Sequence, residues 1–450
     1  MAQRSLPILL LLLSQVDVSR AEPELDRFDL STDGAVDFED VFVFQEQWGL
    51  ATPPAVPTRY PYIQRTDESS FLIAWRTDLE IPTRAVYGTG PANLDREAGS
   101  SDPTRIHAAE IGNLSPETTY YYRVLDRDGS PLSRIESTRT FPPRGVSRPV
   151  RFTLMGDSGR PFFQDGGIVA GPDQLLVAFQ QDIVAPDFFV HLGDLVYDSG
   201  ERQRYDPLFF TPYRETLKRA PVFPCIGNHD VATENGQPYI DNFYPPENAP
   251  DSGERYYSFD YGNVHFTILD SNAFTSSSPD YDPACLFQCD WLEADLAAAA
   301  DQKWKVVAFH HPPYTTGIHL FDRPNVPLIR EQWTPLFEAY GVDVVFSGHD
   351  HDYQRSLPLR GGAPDLEQGV LYVVSGGGGN TLRPSISYAQ CPAAFRNSAF
   401  RETTRYHLLK VTVDGDLLTM EAIDKEGVVF DTFHISKTAA ADCVAPFQSR

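Results

Sequence analysis

The sequence predicts an α/β domain preceded by a smaller all-β domain. Three observations carry this. From residue 148 onward, apolar runs end again and again in glycine plus a polar residue (VRFTLMGD, DFFVHLGD, DVVFSGHD, LYVVSGGGG). Helical stretches such as DQLLVAFQQDIV and WLEADLAAAA alternate with them, the pattern of strands buried between helices. Between residues 59 and 143 the apolar residues instead repeat with period two, and 37 prolines and 31 glycines in 450 residues call for many turns. That length is also more than one ordinary domain of roughly 100–200 residues.

In chain order, residues 1–21 read as a signal peptide. Arg4 precedes the apolar run Leu6–Leu13, and Ser19 and Ala21 stand at cleavage-site spacing, so the expected location is secreted or periplasmic. The run is too short to span a bilayer, and no later segment is longer, so no membrane span is expected. Residues 22–50 carry nine acidic side chains against one basic, Arg27. Within them Asp29, Ser31, Asp33, Asp37 and Asp40 stand at positions 1, 3, 5, 9 and 12 of a loop with Gly34 at position 6. Calcium needs six to eight hard oxygen ligands, and this spacing wraps them around one ion. With the amphipathic run VFVFQEQWG the segment resembles one repeat of a dockerin, or EF-hand-like, calcium loop. Dockerins usually carry two repeats, so the expected partner is either a cohesin-like module or none.

Residues 51–58 form a proline-rich linker. In the stretch 59–143, FLIAW and YYYRV alternate, and Trp75 is expected in the core. Leu114–Tyr120 resembles the tyrosine corner of fibronectin type III domains, implying a sandwich with a packing role. A second spacer leads to the α/β domain at 148–436, and a tail, 437–450, follows. Five cysteines fit an oxidising compartment. Cys285, Cys289, Cys391 and Cys443 allow three pairings, while Cys225, inside PVFPCIGN, is expected to pack as a small hydrophobe. The net charge of −25 excludes a nucleic-acid-binding module and an anionic membrane surface as partner.

The chemistry lies at the strand exits: Gly156-Asp157, Gly193-Asp194 with Tyr197, Gly227-Asn228-His229, His310, and Gly348-His349-Asp350-His351. Carboxylates, imidazoles, an amide oxygen and a phenol together suit two hard or borderline metal ions. One such block is weak; five in order at strand ends are specific. The ordered set resembles the purple acid phosphatases of the metallophosphoesterase superfamily, over roughly residues 59–436. The resemblance implies an αββα sandwich behind the β domain. It implies Fe(III) held by Asp157, Asp194, Tyr197 and His351, and a divalent zinc, manganese or iron ion held by Asp194, Asn228, His310 and His349. A phenol of pKa about 10 ionises at acidic pH only beside a strong Lewis acid, which favours Fe(III) at Tyr197. The implied activity is hydrolysis of phosphate monoesters by metal-activated hydroxide, with His319 and His229 as histidines outside the ligand set that protonate the leaving group. The family spacing selects His310 over His311, and alternation along a strand would send His311 to the opposite face.

A phosphodiesterase or nucleotide-cleaving relative would use the same metals, and a dockerin-anchored binding protein would carry a degenerate site. Two other motifs are set aside. Gly156-Asp-Ser-Gly159 has only His107 upstream of it, in the β domain, so it is no serine protease triad. Gly376–Gly379 lacks the Gly-Lys-Ser/Thr ending of a P-loop and is expected to pass near the metal site as a tight turn.

Overall fold

In the α/β domain the apolar residues of the central strands point alternately to two different cores, which fixes a layered arrangement. The computed structural model describes residues 54–249, 253–275, 281–282, 284–322, 325–383 and 398–438. The chain divides into two units, Met1–Val56 and Pro57–Arg450. The expected leader and the expected calcium-loop residues Asp29, Ser31, Asp33, Asp37 and Asp40 lie in the first unit, outside the described residues.

Five antiparallel strands open the second unit: β1 (Pro57–Gln64), β2 (Phe71–Gly88), β3 (Arg96–Ile111), β4 (Thr119–Val124) and β5 (Glu136–Arg139). They form one continuous ladder rather than the two separate sheets of the expected sandwich. The cause is β2, whose first half pairs with β1 and whose last residues pair with β4. Its register against β3 shifts between Arg76 and Thr83, and such bulges bend and twist a strand. Trp75 fills the core of this domain with Ile63, Phe71 and Tyr122. Its ring stacks on His107 at 4.7 Å. Tyr120 Oη accepts the Ser115 N–H at 2.9 Å, tying the corner as its sequence suggests. Arg59 joins this domain to the next, donating to Asp206 at 2.6 Å and to Asn242 at 2.7 Å.

The α/β domain begins with β6 (Val150–Met155), followed by a hairpin of β7 (Pro161–Gln164) and β8 (Gly167–Ala170). Asp165-Gly166 turns this hairpin with both residues at positive φ, the conformation that matches strand twist. Next come β9 (Phe188–His191), β10 (Val222–Pro224), β11 (Tyr257–Tyr261), β12 (Val264–Ile268), β13 (Trp304–Phe309), β14 (Val344–Ser347) and β15 (Tyr353–Ser356). A two-residue pair, β16 (Leu359–Arg360) and β17 (Ala363–Pro364), precedes β18 (Leu371–Ser375), β19 (Ser398–Glu402), β20 (His407–Asp414), β21 (Leu417–Asp424) and β22 (Val429–Ser436). One sheet has the order β10-β9-β6-β20-β21-β22, the other β11-β12-β13-β14-β18-β15-β19.

The main core lies between these sheets. Phe152, Leu154 and Phe188 from one meet Phe266, Val306 and Phe346 from the other. The alternate residues Val307, Phe309 and Val345 face outward, against Leu292 of helix α2 (Gln288–Ala298), Ile329 of α3 (Asn325–Gln332) and Phe337 of α4 (Thr334–Ala339). Across the molecule Phe189 packs with Val177 of α1 (Pro172–Val184). Helices therefore cover both sheets, giving the αββα layering. Cys285 and Cys289 are disulfide-bonded to each other, and Cys225 is buried and free; Cys391 and Cys443 lie outside the described residues. Among the described residues no helix is long and apolar enough to cross a membrane.

A buried ion cluster fastens α2 to the second sheet. His265 on β12 donates from Nδ1 to Asp260 at 2.8 Å and from Nε2 to Asp295 of α2 at 2.9 Å. Burial alone would push this imidazole down, but the two carboxylates outweigh it and raise it to about 9. A raised imidazole stabilises the fold fully below its unfolded value near 6.5, and the contribution is lost as pH rises through about 9. We expect His265→Gln to destabilise the protein most at pH 6 and below. The wild-type-minus-variant difference, measured by denaturant titration, should shrink by up to about 3 kcal/mol between pH 6 and 10. A difference independent of pH would show that His265 is not charged in the fold.

Candidate metal centre

The site residues leave the same edge of both sheets. β6, β9 and β10 run parallel, and Asp157, Asp194 and Asn228 follow their carboxyl ends. In the facing sheet β13 and β14 run parallel, with His310 directly after one and His349 just after the other. Asp157, Asp194 and His349 all have positive φ (60°, 54° and 68°), a conformation costly for residues with a Cβ and typical of constrained sites. The glycines among them allow close approach. A Cβ on Gly348 would lie 2.6 Å from Asp157 Oδ2, and one on Gly376 would lie 2.8 Å from the same atom. The four-glycine run thus passes beside the site, as expected from its sequence.

Two clusters of donor atoms result. In the first, Tyr197 Oη lies 3.0 Å from Asp157 Oδ1, 2.9 Å from Asp194 Oδ2 and 3.2 Å from His351 Nε2. In the second, His310 Nε2 lies 3.0 Å from Asn228 Oδ1, 3.2 Å from His349 Nδ1 and 3.4 Å from Asp194 Oδ1. Asp194 thus offers one oxygen to each cluster. All seven predicted positions are in these two groups.

The outer ring nitrogens decide what the inner ones present. His310 Nδ1 donates to Leu192 O and His351 Nδ1 to Thr381 O, both at 2.8 Å. His349 Nε2 donates to Asp322 Oδ2 at 2.8 Å. Each neutral imidazole therefore turns a lone pair inward, as metal-binding histidines do. The clusters then hold more acceptors than protons. Tyr197 Oη has a single hydrogen for three acceptors, and a neutral His310 has none left for its three neighbours. Burial, then the Asp157 and Asp194 carboxylates, push the Tyr197 phenol well above its ordinary range. His310 is drawn up to about 9, because the same two carboxylates outweigh its burial. Such a constellation is short of positive charge, and cations are what its donor types fit.

His229 lies at the rim, its side chain 32% exposed. Its ring is 4.4 Å from that of Tyr197, and Nδ1 donates to Asp198 O. His319 packs its ring 3.8 Å from His349 and donates from Nδ1 to Asp322 Oδ2 at 2.8 Å. His311 does not turn away to the opposite face. It follows the end of β13, where strand alternation no longer applies, and its ring lies 4.5 Å from His349. Its Nδ1 is paired with Ser271 Oγ at 2.8 Å, but it still offers a ligand atom within 4.8 Å of those of His310 and His349, at the edge of the second cluster. Sequence reasoning missed Asp322, whose Oδ2 holds both His319 and His349; its signal was a carboxylate three residues after His319. Asp230, which closes the Gly227-Asn228-His229 exit in the sequence without a role assigned there, is buried and accepts the Gly227 N–H at 2.9 Å and the Leu195 N–H at 3.1 Å, bracing two site loops.

Residues 150–353 match the calcineurin-like phosphoesterase family, and residues 59–140 match the purple acid phosphatase N-terminal domain. An uncharacterized protein of Mycobacterium tuberculosis is 29% identical over 391 residues, covering 75% of this chain and 72% of its own. Purple acid phosphatase 21 of Arabidopsis thaliana is 29% identical over 370 residues, covering 76% of this chain and 78% of its own. The solved structure of purple acid phosphatase PPD1 from yellow lupin (Lupinus luteus) seeds shares the fold, with a TM-score of 0.70 at 23% identity. That likeness covers 85% of this chain and 74% of the lupin chain. The two family matches thus fall in the order of the domains, the calcineurin-like phosphoesterase model on the α/β domain and the purple acid phosphatase N-terminal model on the β domain.

The two clusters make separable predictions for neighbouring histidines. His310→Ala should lose metal from the Asn228–His349 cluster, whereas His311→Gln should keep a full complement. Elemental analysis of gel-filtered protein reads both. Equal metal loss in the two variants would remove the distinction between them.

Proposed function

We propose that this chain is a secreted, dinuclear-metal acid phosphatase that hydrolyses phosphate monoesters. The observation that carries the reading is Asp194, whose two oxygens serve two separate clusters of inward lone pairs. In this reading Asp157, Asp194, Tyr197 and His351 would hold Fe(III), and Asp194, Asn228, His310 and His349 a divalent ion. When bound, the pair of ions supplies Lewis acidity at the phosphoryl oxygens and a water nucleophile acidic enough to act below neutral pH.

The chain's own residues do the rest. The outer hydrogen bonds to Leu192 O, Thr381 O and Asp322 hold three imidazoles in one tautomer. The buried carboxylates and the phenol set the charge of the pocket. His319 and His229 remain as proton carriers at its rim, each with Nδ1 engaged and Nε2 the exchangeable atom. His319 is the proposed acid for the leaving oxygen. Arg383 Nη1 donates to its Nε2 at 2.6 Å, which makes that nitrogen a lone pair, so Arg383 must turn to another acceptor and Nε2 must take a proton from solvent before His319 can give one there.

Two experiments test the reading. Iron-loaded protein should show a broad visible charge-transfer band that Tyr197→Phe abolishes, and it should hydrolyse monoesters faster than diesters below neutral pH. A colourless ferric protein, or faster diester cleavage, would overturn the assignment. For the acid, an alkyl phosphate expels an alkoxide that needs a proton, whereas a nitrophenyl phosphate expels a stable phenolate. His319→Ala should therefore lose much of the about 10²–10⁴-fold typical of general acid catalysis on alkyl esters, and far less on the nitrophenyl ester. Equal losses on both would move the acid role to His229.

A further inference from the structure

Arg383 occupies a position that the ligand set and the proton carriers leave unexplained. Its backbone N–H donates to His351 O at 3.2 Å, and Thr381, two residues earlier, accepts from His351 Nδ1. The strap 381–383 is thus pinned over the His351 side of the site. From there the Arg383 side chain reaches His319, whose ring lies against His349 in the other cluster. Arg383 therefore links the strap beside His351 to the rim histidine that packs on His349.

The contact it makes there is a resting one. Arginine has five N–H donors and no acceptor, so its bond to His319 Nε2 makes that nitrogen a lone pair. No carboxylate partners Arg383 among the described residues, and it is only partly buried, so its remaining donors are free for a ligand. A second guanidinium stands on the same strap, since Arg160 donates to Thr381 Oγ1. Nε2 of His319 is the atom that faces the departing oxygen in the proposed reaction. Whatever Arg383 touches when it leaves that nitrogen is therefore the departing part of the substrate.

We propose that Arg383 binds an anionic group carried by the leaving portion of the substrate, so that the site selects phosphate esters whose alcohol bears a second negative charge. The inference rests on the phosphatase reading and on His319 as its proton donor. Binding of that group draws the guanidinium off His319 Nε2 and leaves that nitrogen open to take up, from solvent, the proton it would pass to the leaving oxygen. A guanidinium–carboxylate pair is a charge-assisted, directional contact that an uncharged hydroxymethyl group cannot replace.

The test uses matched pairs on the metal-loaded full chain. Wild type should favour 2-phosphoglycerate over glycerol 2-phosphate in kcat/KM. In Arg383→Ala that preference ratio should fall roughly 10–100-fold, the range of one lost hydrogen bond to a charged group. Arg383→Lys should retain part of it. Calorimetric Kd values for two non-hydrolysable ligands, 3-phosphonopropionate and propylphosphonate, should show the same change of ratio without turnover. Unchanged ratios in Arg383→Ala, with metal content intact, would overturn the proposal and leave Arg383 as a prop for His319, which would lower both substrates alike. Wild-type protein that hydrolyses neither ester yet keeps the ligand ratio would instead sink the phosphatase reading and leave the anion site standing.

Discussion

The structure depends on an electrostatic conflict at the edge of two sheets. Asp157 and Asp194 are buried side by side, with a phenol between their oxygens and imidazole lone pairs around them. Burying one carboxylate without compensation is costly, and burying two together is costlier still. The fold holds them there because each is built into a strand exit whose backbone has no freedom to retreat. The N–H of His349 holds Asp157 Oδ2 at 2.9 Å, and the N–H of His229 holds Asp194 Oδ1 at 2.9 Å. A positive charge between them converts the conflict into binding energy.

Much of the surrounding architecture keeps that arrangement rigid. The Phe152–Phe188–Phe266 contacts lock the two sheets face to face, so that cluster residues from both meet at one edge. Asp230 braces the loops after β9 and β10, and Asp322 ties His349 to the rim residue His319. The β domain adds no atom to the two clusters. Its Arg59 and Arg76 instead pin Asn242 in the loop that follows the Gly227–Asp230 segment, giving it a supporting role.

The rim is where selectivity can be built without disturbing the centre. Two imidazoles with engaged Nδ1 atoms stand there, and two guanidinium groups sit on the strap that also orients His351. Recognition and orientation thus share a few residues of backbone.

The sequence by itself determined the fold class and the strand exits, because buried strands and glycine-flanked polar exits follow from local periodicity and backbone sterics. The Trp75 core was legible for the same reason. The choice of seven positions among the polar residues at those exits, and the Tyr120 corner, came from resemblance to known families rather than from periodicity. The resemblance already implied that Asp194 serves both sets; only the tertiary structure decided which oxygen goes to which cluster, since that depends on how two sheets face each other. It alone placed Asp322 and Arg383 at the site, because an exposed loop and a strap carry no periodic signal and their roles arise from contacts 27 and 64 residues apart. It also replaced the expected pair of sheets in the β domain by one bent ladder, through a bulge in β2 that no local residue pattern announces. His311 shows the same limit: alternation holds within a strand, and the strand ends one residue before the pair.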